Sequence, residues 1–362
     1  MGEQLEVVLE CCRACWGPES SERCDGKPGA VPGSPVPRGS GTGLPRCVGR
    51  PVESSTVVVR ANERGPVSSF RRRKDPEAAF LRNFRWDQLP PSSRPFTFDA
   101  PSGPLATVEW GASDGTSVLL APGITGSKED FSLVGPALAA RGYRVWALDL
   151  AGQYQSHQAG PGLDGEWSDE MHLQDLVAVL EAMGGAHFVG YSYAGIVGRK
   201  LLLQRPDLLR SVFFLSVPPV PGNVFAEMTL VGGLLQRTTP KVAAAAMLAG
   251  IRLNASRVTR TRHRFAKDRL ELTVRGSIVG AMDDMLNVPD LSAQLATSGV
   301  PLMVGAGAKD MWSLCQHREH AEQIGAQFRS YTSGHAPSET APKELVRDLA
   351  EFFRGVDGEP AR

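Results

Sequence analysis

The sequence has no net charge and no long hydrophobic run. Its 362 residues include 39 Lys and Arg against 39 Asp and Glu, so no overall charge draws the chain to nucleic acid or to an anionic membrane. No uninterrupted apolar stretch approaches the ~20 residues of a membrane-spanning helix. The first residues, MGEQLEVVLECC, also lack the basic segment that begins a secretory signal. We therefore expect a cytoplasmic protein with no nucleic-acid partner and no stable membrane insertion.

Cysteine is scarce after residue 50. Of the six cysteines, Cys315 lies in that part, and the others are Cys11, Cys12, Cys15, Cys24 and Cys47. This N-terminal cluster lacks the paired C-x2-C spacing of a structural zinc site. We interpret the cluster as reduced thiols, and we expect neither a metal nor a cofactor in this protein.

Residues 1–80 differ in composition from the rest of the chain. Gly, Pro and Ser dominate residues 17–51, and residues 71–74 are Arg-Arg-Arg-Lys. A segment of this composition buries too little apolar surface to offset the conformational entropy that it would lose on ordering. We predict a disordered N-terminal extension, or a segment upstream of the true start of translation. Residues 81–362 are then the folded domain.

Strand-like apolar runs alternate with helical patterns through most of the remaining chain. Strands are predicted at residues 96–100, 106–110, 117–121, 143–148, 186–190, 211–215, 301–305 and 326–331. Helices are predicted at residues 129–140, 169–183, 193–204, 317–324 and 342–353. This alternation is typical of an α/β fold with a mostly parallel sheet that helices cover on both faces.

One long stretch, between residues 215 and 301, has helical periodicity and no clear strand. A structureless loop of that length is improbable in a compact domain, so we predict a helical insertion that covers the sheet edge. The insertion is rich in basic residues: Arg252, Arg257, Arg260, Arg262, Arg264, Lys267, Arg269 and Arg275. We interpret them as a solvated outer helix face paired with Asp268 and Glu271. The alternative is a surface for an acidic substrate or an anionic lipid.

The most informative motif is GYSYAG at residues 190–195. An apolar run precedes it and a helical pattern follows it, which is the layout of a nucleophile elbow, a sharp strand-to-helix turn that exposes a serine hydroxyl. The residues two before and two after the serine must be small, because strand and helix nearly touch there, and Gly190 and Ala194 are small. The motif alone arises often by chance, so its context is what indicates that Ser192 is a nucleophile.

A serine nucleophile needs a base. His335 follows the last predicted strand in a loop, within Ser-Gly-His-Ala-Pro, and it is the histidine that fits both position and context. We predict surface or packing roles for the other six: His157, His172, His187, His263, His317 and His320. The last two, three residues apart, could ligate a metal, but no matching carboxylate pattern accompanies them.

A carboxylate must orient the base, and it should end a neighbouring strand. Asp310 follows the apolar run at 301–305 and a turn of small residues. The order Ser192, Asp310, His335 is the chain order expected for a nucleophile-elbow triad. Three other carboxylates compete with Asp310 but lie in the predicted insertion: Asp283, Asp284 and Asp290.

Two backbone N–H groups should form the oxyanion hole. Tyr193, directly after the nucleophile, should supply one of them. The other should come from the loop after the third strand, where Gly123 permits a close approach and the Ile124 N–H is the expected donor. Each such donor stabilises a transition state by about 3 kcal/mol.

These residues together resemble the α/β-hydrolase superfamily, over residues 96–353. Many members read D-x-x-G-x-G-x-S after the fourth strand. Here the segment begins at Asp149 and keeps Ser156, but Tyr154 replaces the second glycine. Pro122 stands where many members have histidine. The superfamily implies an eight-stranded sheet with a cap between strands six and seven, and residues 217–291 match that cap.

The predicted triad, with this resemblance, implies a serine hydrolase that acts by acyl transfer on a carboxylic ester. Amidase, thioesterase, C–C hydrolase and cofactor-free perhydrolase chemistry use the same three residues and stay open. A non-catalytic, ligand-binding relative is the alternative from another class. We expect a small acyl substrate, largely apolar, in a pocket lined by Tyr191, Tyr193, Trp312, Phe225 and Met228. The oligomeric state stays open, a homodimer included.

Overall fold

The computed structural model describes residues 76–162, 165–226, 228 and 238–358, and eight strands in this part form one sheet. The strands are β1 Arg94–Ala100, β2 Gly103–Trp110, β3 Thr116–Ala121, β4 Tyr143–Leu148, β5 Ala186–Tyr191, β6 Leu209–Leu215, β7 Leu302–Gly307 and β8 Gln327–Tyr331. Their order in the sheet is β1-β2-β4-β3-β5-β6-β7-β8. β2 pairs antiparallel with β1 and β4, and the other pairs are parallel. The predicted mostly parallel sheet is confirmed.

The inner strands are buried on both faces, which explains their continuous apolar sequences. Every residue of β5 and of β7 is buried. Phe188 and Phe214 belong to the hydrophobic core on one face of the sheet, and their neighbours Val189 and Phe213 belong to the core on the other face. Successive side chains of these strands therefore pack into the cores on opposite faces of the sheet, as the two-residue period of a strand requires.

Helices connect the strands and cover the sheet. They are α1 Pro76–Asn83, α2 Gly135–Ala139, α3 Asp169–Met183, α4 Tyr193–Gln204, α5 Pro240–Arg252, α6 Arg260–Leu272, α7 Arg275–Leu286, α8 Ser292–Ala296, α9 Leu314–Gln323, α10 Pro337–Thr340 and α11 Pro342–Asp357. Across the part of the chain that the structure describes, none of the helices has the length and apolar character needed to cross a membrane.

Two predicted boundaries need correction. A 3-10 turn over Lys128–Phe131 and the short helix α2 replace the single helix predicted over residues 129–140. Pro136 lies in the first turn of α2, and its missing N–H prevents it from continuing an earlier helix. Residues 76–80, which we assigned to the disordered extension, are helical within α1. Residues 1–75, with the five clustered cysteines and the basic run, lie outside the described residues.

Helices α5 to α8 lie between β6 and β7 in the chain. The first three lie within residues 217–291, and Gly222 and Val288 pair through two backbone hydrogen bonds that join the ends of this stretch. A small hydrophobic cluster forms between α5 and α7, and Phe225 and Ile124 pack against it. Ile124 belongs to the loop after β3, so the insertion packs onto that loop. Residues 227 and 229–237 lie outside the described residues.

The carboxyl ends of the parallel strands meet at one edge of the sheet, where open α/β sheets bind their ligands. The loops after β3, β5, β7 and β8 carry the residues on which the predicted chemistry depends. In chain order these are Ile124, Ser192, Asp310 and His335. The fold therefore places four separate sequence signals at one edge.

Candidate active site

Ser192 occupies a sharp turn between β5 and α4. Its φ of 52° and ψ of −117° lie in a region that residues with a side chain rarely adopt. The turn brings strand and helix together so closely that a Cβ on Gly190 would lie 2.8 Å from Gly195 Cα. A Cβ on Gly195 would overlap a methyl carbon of Val217. The motif pointed to Gly190 and Ala194 as small residues, and the structure adds Gly195.

The structure brings Ser192, His335 and Asp310 together in hydrogen-bonding order. His335 Nε2 lies 3.0 Å from Ser192 Oγ, and His335 Nδ1 lies 2.7 Å from Asp310 Oδ1. The His335 side chain is 13% exposed, whereas Asp310 is fully buried. This is the arrangement in which an imidazole can take a proton from a hydroxyl while a carboxylate holds its tautomer and orientation.

Asp310 is ionised despite its burial. Burial raises the pKa of this carboxyl, but the charge and hydrogen bond of His335 oppose that effect, with help from His317 and Ser216. The net result is a pKa below the ordinary value for aspartate. The competing carboxylates are elsewhere: Asp284 bonds to the Tyr193 hydroxyl, Asp290 caps the Ser292 amide, and Asp283 is exposed.

The loop after β3 lies against the serine. A Cβ on Gly123 would lie 2.9 Å from Ser192 Cβ and 3.5 Å from Ser192 Oγ, so glycine permits the approach that the sequence led us to expect. Tyr193 is the first residue of α4, where a backbone N–H has no acceptor within its own helix. Ile124 directly follows Gly123 and Tyr193 directly follows Ser192, and the role of their amides as oxyanion donors stays a prediction.

The aromatic residues predicted to line the pocket differ in what their rings contact. Tyr191 and Trp312 have ring centroids 5.4 Å and 5.9 Å from that of His335. The Tyr193 side chain does not join them: it is fully buried, and its hydroxyl donates to Asp284 Oδ2 over 2.7 Å. The Tyr193 hydroxyl is therefore bonded to a residue of the insertion, and a contact of this ring with substrate stays a prediction.

Phe225 and Met228 are partly buried and pack against the main core, and Phe225 also packs against the cluster between α5 and α7. Ile124 shares both sets of contacts. Phe225 therefore lies where the insertion meets the loop after β3.

A buried charge cluster connects the insertion to both loops beside Ser192. Arg262 donates to Asp130 Oδ1 over 2.8 Å and makes a bidentate pair with Glu339 at 2.8 Å and 2.5 Å. Arg269 donates to Asp130 Oδ1 over 2.7 Å and to Ser127 Oγ over 3.0 Å. Asp130 and Ser127 follow the Ile124 loop, and Glu339 follows His335 by four residues.

The interpretation of the basic residues as one solvated face is wrong for Arg262 and Arg269, which are buried. It holds for Arg264, whose side chain is 86% exposed and lies 3.8 Å from Asp268. The spacing of seven residues between Arg262 and Arg269 places both on one helix face, and that signal was available in the sequence. Their partners could not be found, because Asp130 and Glu339 are distant along the chain.

Two further histidines lie on α9, the helix that follows Asp310 in the chain. His317 and His320, on α9, are buried, so of the surface and packing roles predicted for them a surface role does not apply. Arg199 Nη2 lies 3.2 Å from His320 Nε2 and also donates to the Pro218 carbonyl over 2.5 Å. No group of three or more His, Cys, Asp or Glu side chains within the described ranges could hold a metal ion.

A family model described as the alpha/beta hydrolase fold matches residues 116–300. A Variovorax paradoxus protein named "Putative carbamate hydrolase RutD" is 28% identical over 274 residues, which cover 71% of this chain and 100% of that protein. The epoxide hydrolase VrEH1 from Vigna radiata has a TM-score of 0.59 at 20% identity and covers 73% of this chain and 98% of its own. A thermophilic esterase from Thermogutta terrifontis has a TM-score of 0.56 at 20% identity, with 73% and 99% covered.

Proposed function

The chain belongs to the α/β-hydrolase family and is a hydrolase, and from that premise we propose that it is a serine hydrolase cleaving a carboxylic ester or a related acyl compound. One observation carries this proposal. Ser192 lies in a strained turn and within hydrogen-bond distance of His335, and the buried carboxylate of Asp310 lies within hydrogen-bond distance of the same imidazole. In this proposal Ser192 is the nucleophile, His335 the general base and acid, and Asp310 the orienting carboxylate.

In the first half of the reaction, Ser192 Oγ attacks the acyl carbon while His335 Nε2 takes the hydroxyl proton. The Ile124 and Tyr193 amides donate to the oxyanion that forms. The bond between the acyl carbon and the leaving group then breaks, and His335 returns the proton to the leaving group. In the second half a water molecule attacks the acyl-serine, gives its proton to His335, and releases a carboxylic acid as Ser192 regains its proton.

The identity of the nucleophile restricts the substrate to acyl compounds. Attack of a serine on a carbonyl gives an ester that water can hydrolyse at the same carbonyl. Attack of a serine on the sp³ carbon of an epoxide gives an ether, which has no carbonyl for water to attack. Ser192 therefore favours an acyl substrate over an epoxide, although an epoxide hydrolase shares the fold. Amides, thioesters, C–C bonds beside a carbonyl and perhydrolysis are consistent with the same three residues.

A carbamate is the second candidate substrate. The relative from Variovorax paradoxus is named as a carbamate hydrolase and is covered over its full length by its match with this chain. A carbamate presents the same carbonyl carbon to Ser192, so no change of mechanism is needed. The aromatic rings of Tyr191 and Trp312 beside His335, with Phe225 and Met228 from the insertion, support a largely apolar pocket for either substrate.

The test is the turnover of p-nitrophenyl acetate, p-nitrophenyl butyrate and an aryl carbamate by the wild type and two variants. Ser192→Ala should lower kcat by about 10⁶-fold, the size of loss seen when a triad serine is removed. Asp310→Asn should lower kcat by about 10⁴-fold, because the amide favours the wrong imidazole tautomer. Asp283→Asn, a change at an exposed carboxylate of the insertion, is the matched control and should leave kcat unchanged.

Labelling by a fluorophosphonate separates this proposal from the ligand-binding alternative. The probe should label folded wild-type protein at Ser192 and should not label Ser192→Ala. Absence of label on folded wild-type protein would favour a binding protein that keeps the fold without the activity. Near-wild-type turnover by Ser192→Ala would refute the serine mechanism itself.

A further inference from the structure

Asp310 uses one carboxylate oxygen for the predicted triad and leaves the other unsatisfied. Oδ1 accepts from His335 Nδ1 over 2.7 Å and from the Met311 amide over 2.6 Å. Oδ2 is buried and has no hydrogen-bond partner among the described residues. A buried, ionised oxygen without a donor costs more than most buried polar atoms, so such a group calls for an explanation.

Two polar side chains lie near this carboxylate besides His335: the Ser216 hydroxyl, which helps to lower the Asp310 pKa, and His317, which is the titratable one. Its Nε2 lies 3.8 Å from Asp310 Oδ2, and both side chains are fully buried. Neither ring nitrogen of His317 has a hydrogen-bond partner in the described part of the chain. Two unsatisfied groups of complementary chemistry therefore face each other inside the protein. The separation is larger than a direct hydrogen bond, and a movement of less than about 1 Å would close it.

We propose that His317 is a positioning residue for Asp310: its neutral imidazole, with the proton on Nε2, donates toward Asp310 Oδ2 and fixes the carboxylate that orients His335. This inference rests on the proposed function, because it assigns His317 to the same reaction. The chain of groups is then Ser192, His335, Asp310 and His317, in which the fourth member contacts no reacting atom.

The surrounding charges support the neutral form of His317. Burial lowers its pKa to about 4, and the charges of His335 and of Arg199 on α4 lower it too, while the Asp310 carboxylate opposes them. His320, the other titratable neighbour on α9, lies beside Arg199 and is also buried. At neutral pH His317 therefore carries one N–H, which can satisfy the carboxylate without adding a second positive charge next to His335.

The substitution His317→Leu removes the donor at similar volume. We expect kcat to fall by roughly tenfold, the worth of one hydrogen bond to a charged group, with KM unchanged. Without the donor, more negative charge remains on Asp310 and stabilises the His335 imidazolium. The acid limb of the kcat/KM profile should therefore move to higher pH by about half a unit or more. His317→Gln, whose amide N–H can replace the donor, should restore both the wild-type kcat and the wild-type position of the acid limb.

His320→Leu is the matched control, since it changes a buried histidine of the same helix that faces Arg199. It should leave the acid limb in place, whatever it does to stability. The proposal is overturned if His317→Leu keeps the wild-type kcat and acid limb, or if His320→Leu moves the limb by the same amount. It is also overturned if His317→Gln loses as much activity as His317→Leu.

A readout on wild-type protein covers the case in which a variant does not fold. NMR of histidine labelled with ¹⁵N should show His317 neutral and protonated on Nε2 at pH 7. A proton on Nδ1, or a charged ring, overturns the proposal. This measurement needs no substrate, so it is separate from the serine mechanism, which the turnover of Ser192→Ala and fluorophosphonate labelling test.

Discussion

At the scale of single residues, Ser192 is held by its neighbours and not by its own backbone preference. Its φ of 52° is unfavourable by about 1–2 kcal/mol for a residue with a Cβ. Gly190, Gly195 and Gly123 lie so close that a Cβ on any of them would meet an atom at less than 3.0 Å. The position of the nucleophile therefore depends on these three glycines, because they have no side chain.

Gly123→Ala tests this dependence at the Ile124 loop. The new methyl would lie 2.9 Å from Ser192 Cβ, so the loop or the serine must shift. We expect kcat to fall by about 10²-fold, because displacements of about 1 Å at a reacting centre cost that much. The measurement is ester turnover together with urea unfolding. Gly162→Ala, where a Cβ meets nothing within 4 Å, should change neither, and equal activity of both variants would contradict the argument.

At the scale of elements, α6 is the link between the insertion and the two loops beside Ser192. Its Arg262 and Arg269 reach Asp130 after the β3 loop, and Arg262 also reaches Glu339 in α10 after His335. All four side chains are buried, and their mutual pairing offsets the cost of removing them from water. The position of the insertion is therefore coupled to the loops that carry Ile124 and His335.

Arg262→Met and Arg264→Met compare a buried and an exposed arginine of the same helix. The first leaves Glu339 buried without its bidentate partner and should lower the free energy of unfolding by about 3–5 kcal/mol. The second removes an exposed pair and should lower it by less than about 0.5 kcal/mol. Urea denaturation measures both. A similar small loss in both variants would show that the buried cluster adds little.

At the scale of the whole molecule, buried histidines make stability depend on pH. Burial is the chief cause that lowers the pKa of four of them. The pKa is lowered to about 4 for His172, His187 and His317, and to about 3 for His320. Below their ordinary pKa near ~6.5, the unfolded chain binds protons that these folded side chains do not, so each lowers stability as pH falls toward 4. Three aspartates with raised pKa values act in the opposite direction: Asp149, Asp175 and Asp284.

His172→Leu isolates one of these contributions. Burial alone lowers the pKa of His172 to about 4. Wild-type protein should therefore lose about 2 kcal/mol more stability than the variant between pH 7.5 and pH 5.0. Urea unfolding at the two pH values measures the difference. His157→Leu, at an exposed histidine, should behave as wild type, and an equal pH effect in His172→Leu and wild type would contradict the assignment.

Much of the fold could be predicted because the patterns are local. The alternation of apolar runs and helical periods located all eight strands, and small residues around Ser192 marked the turn. The helix at residues 129–140 failed because a proline started a new helix inside a continuous periodicity. The order Ser192, Asp310, His335 pointed to the candidate site because β5 to β8 follow chain order in the sheet, which places the ends of β5, β7 and β8 on one side of it.

The sequence by itself determined the sheet, the elbow and the residues that end its strands, since these depend on periods and spacings within a few residues. Only the tertiary structure decided that Arg262 is buried, that the Tyr193 hydroxyl bonds to Asp284 and that His317 faces Asp310. Each of these depends on contacts between residues that are far apart along the chain or whose side chains can point in several directions. Partner identity in a buried polar contact is set by packing, and no local pattern encodes it.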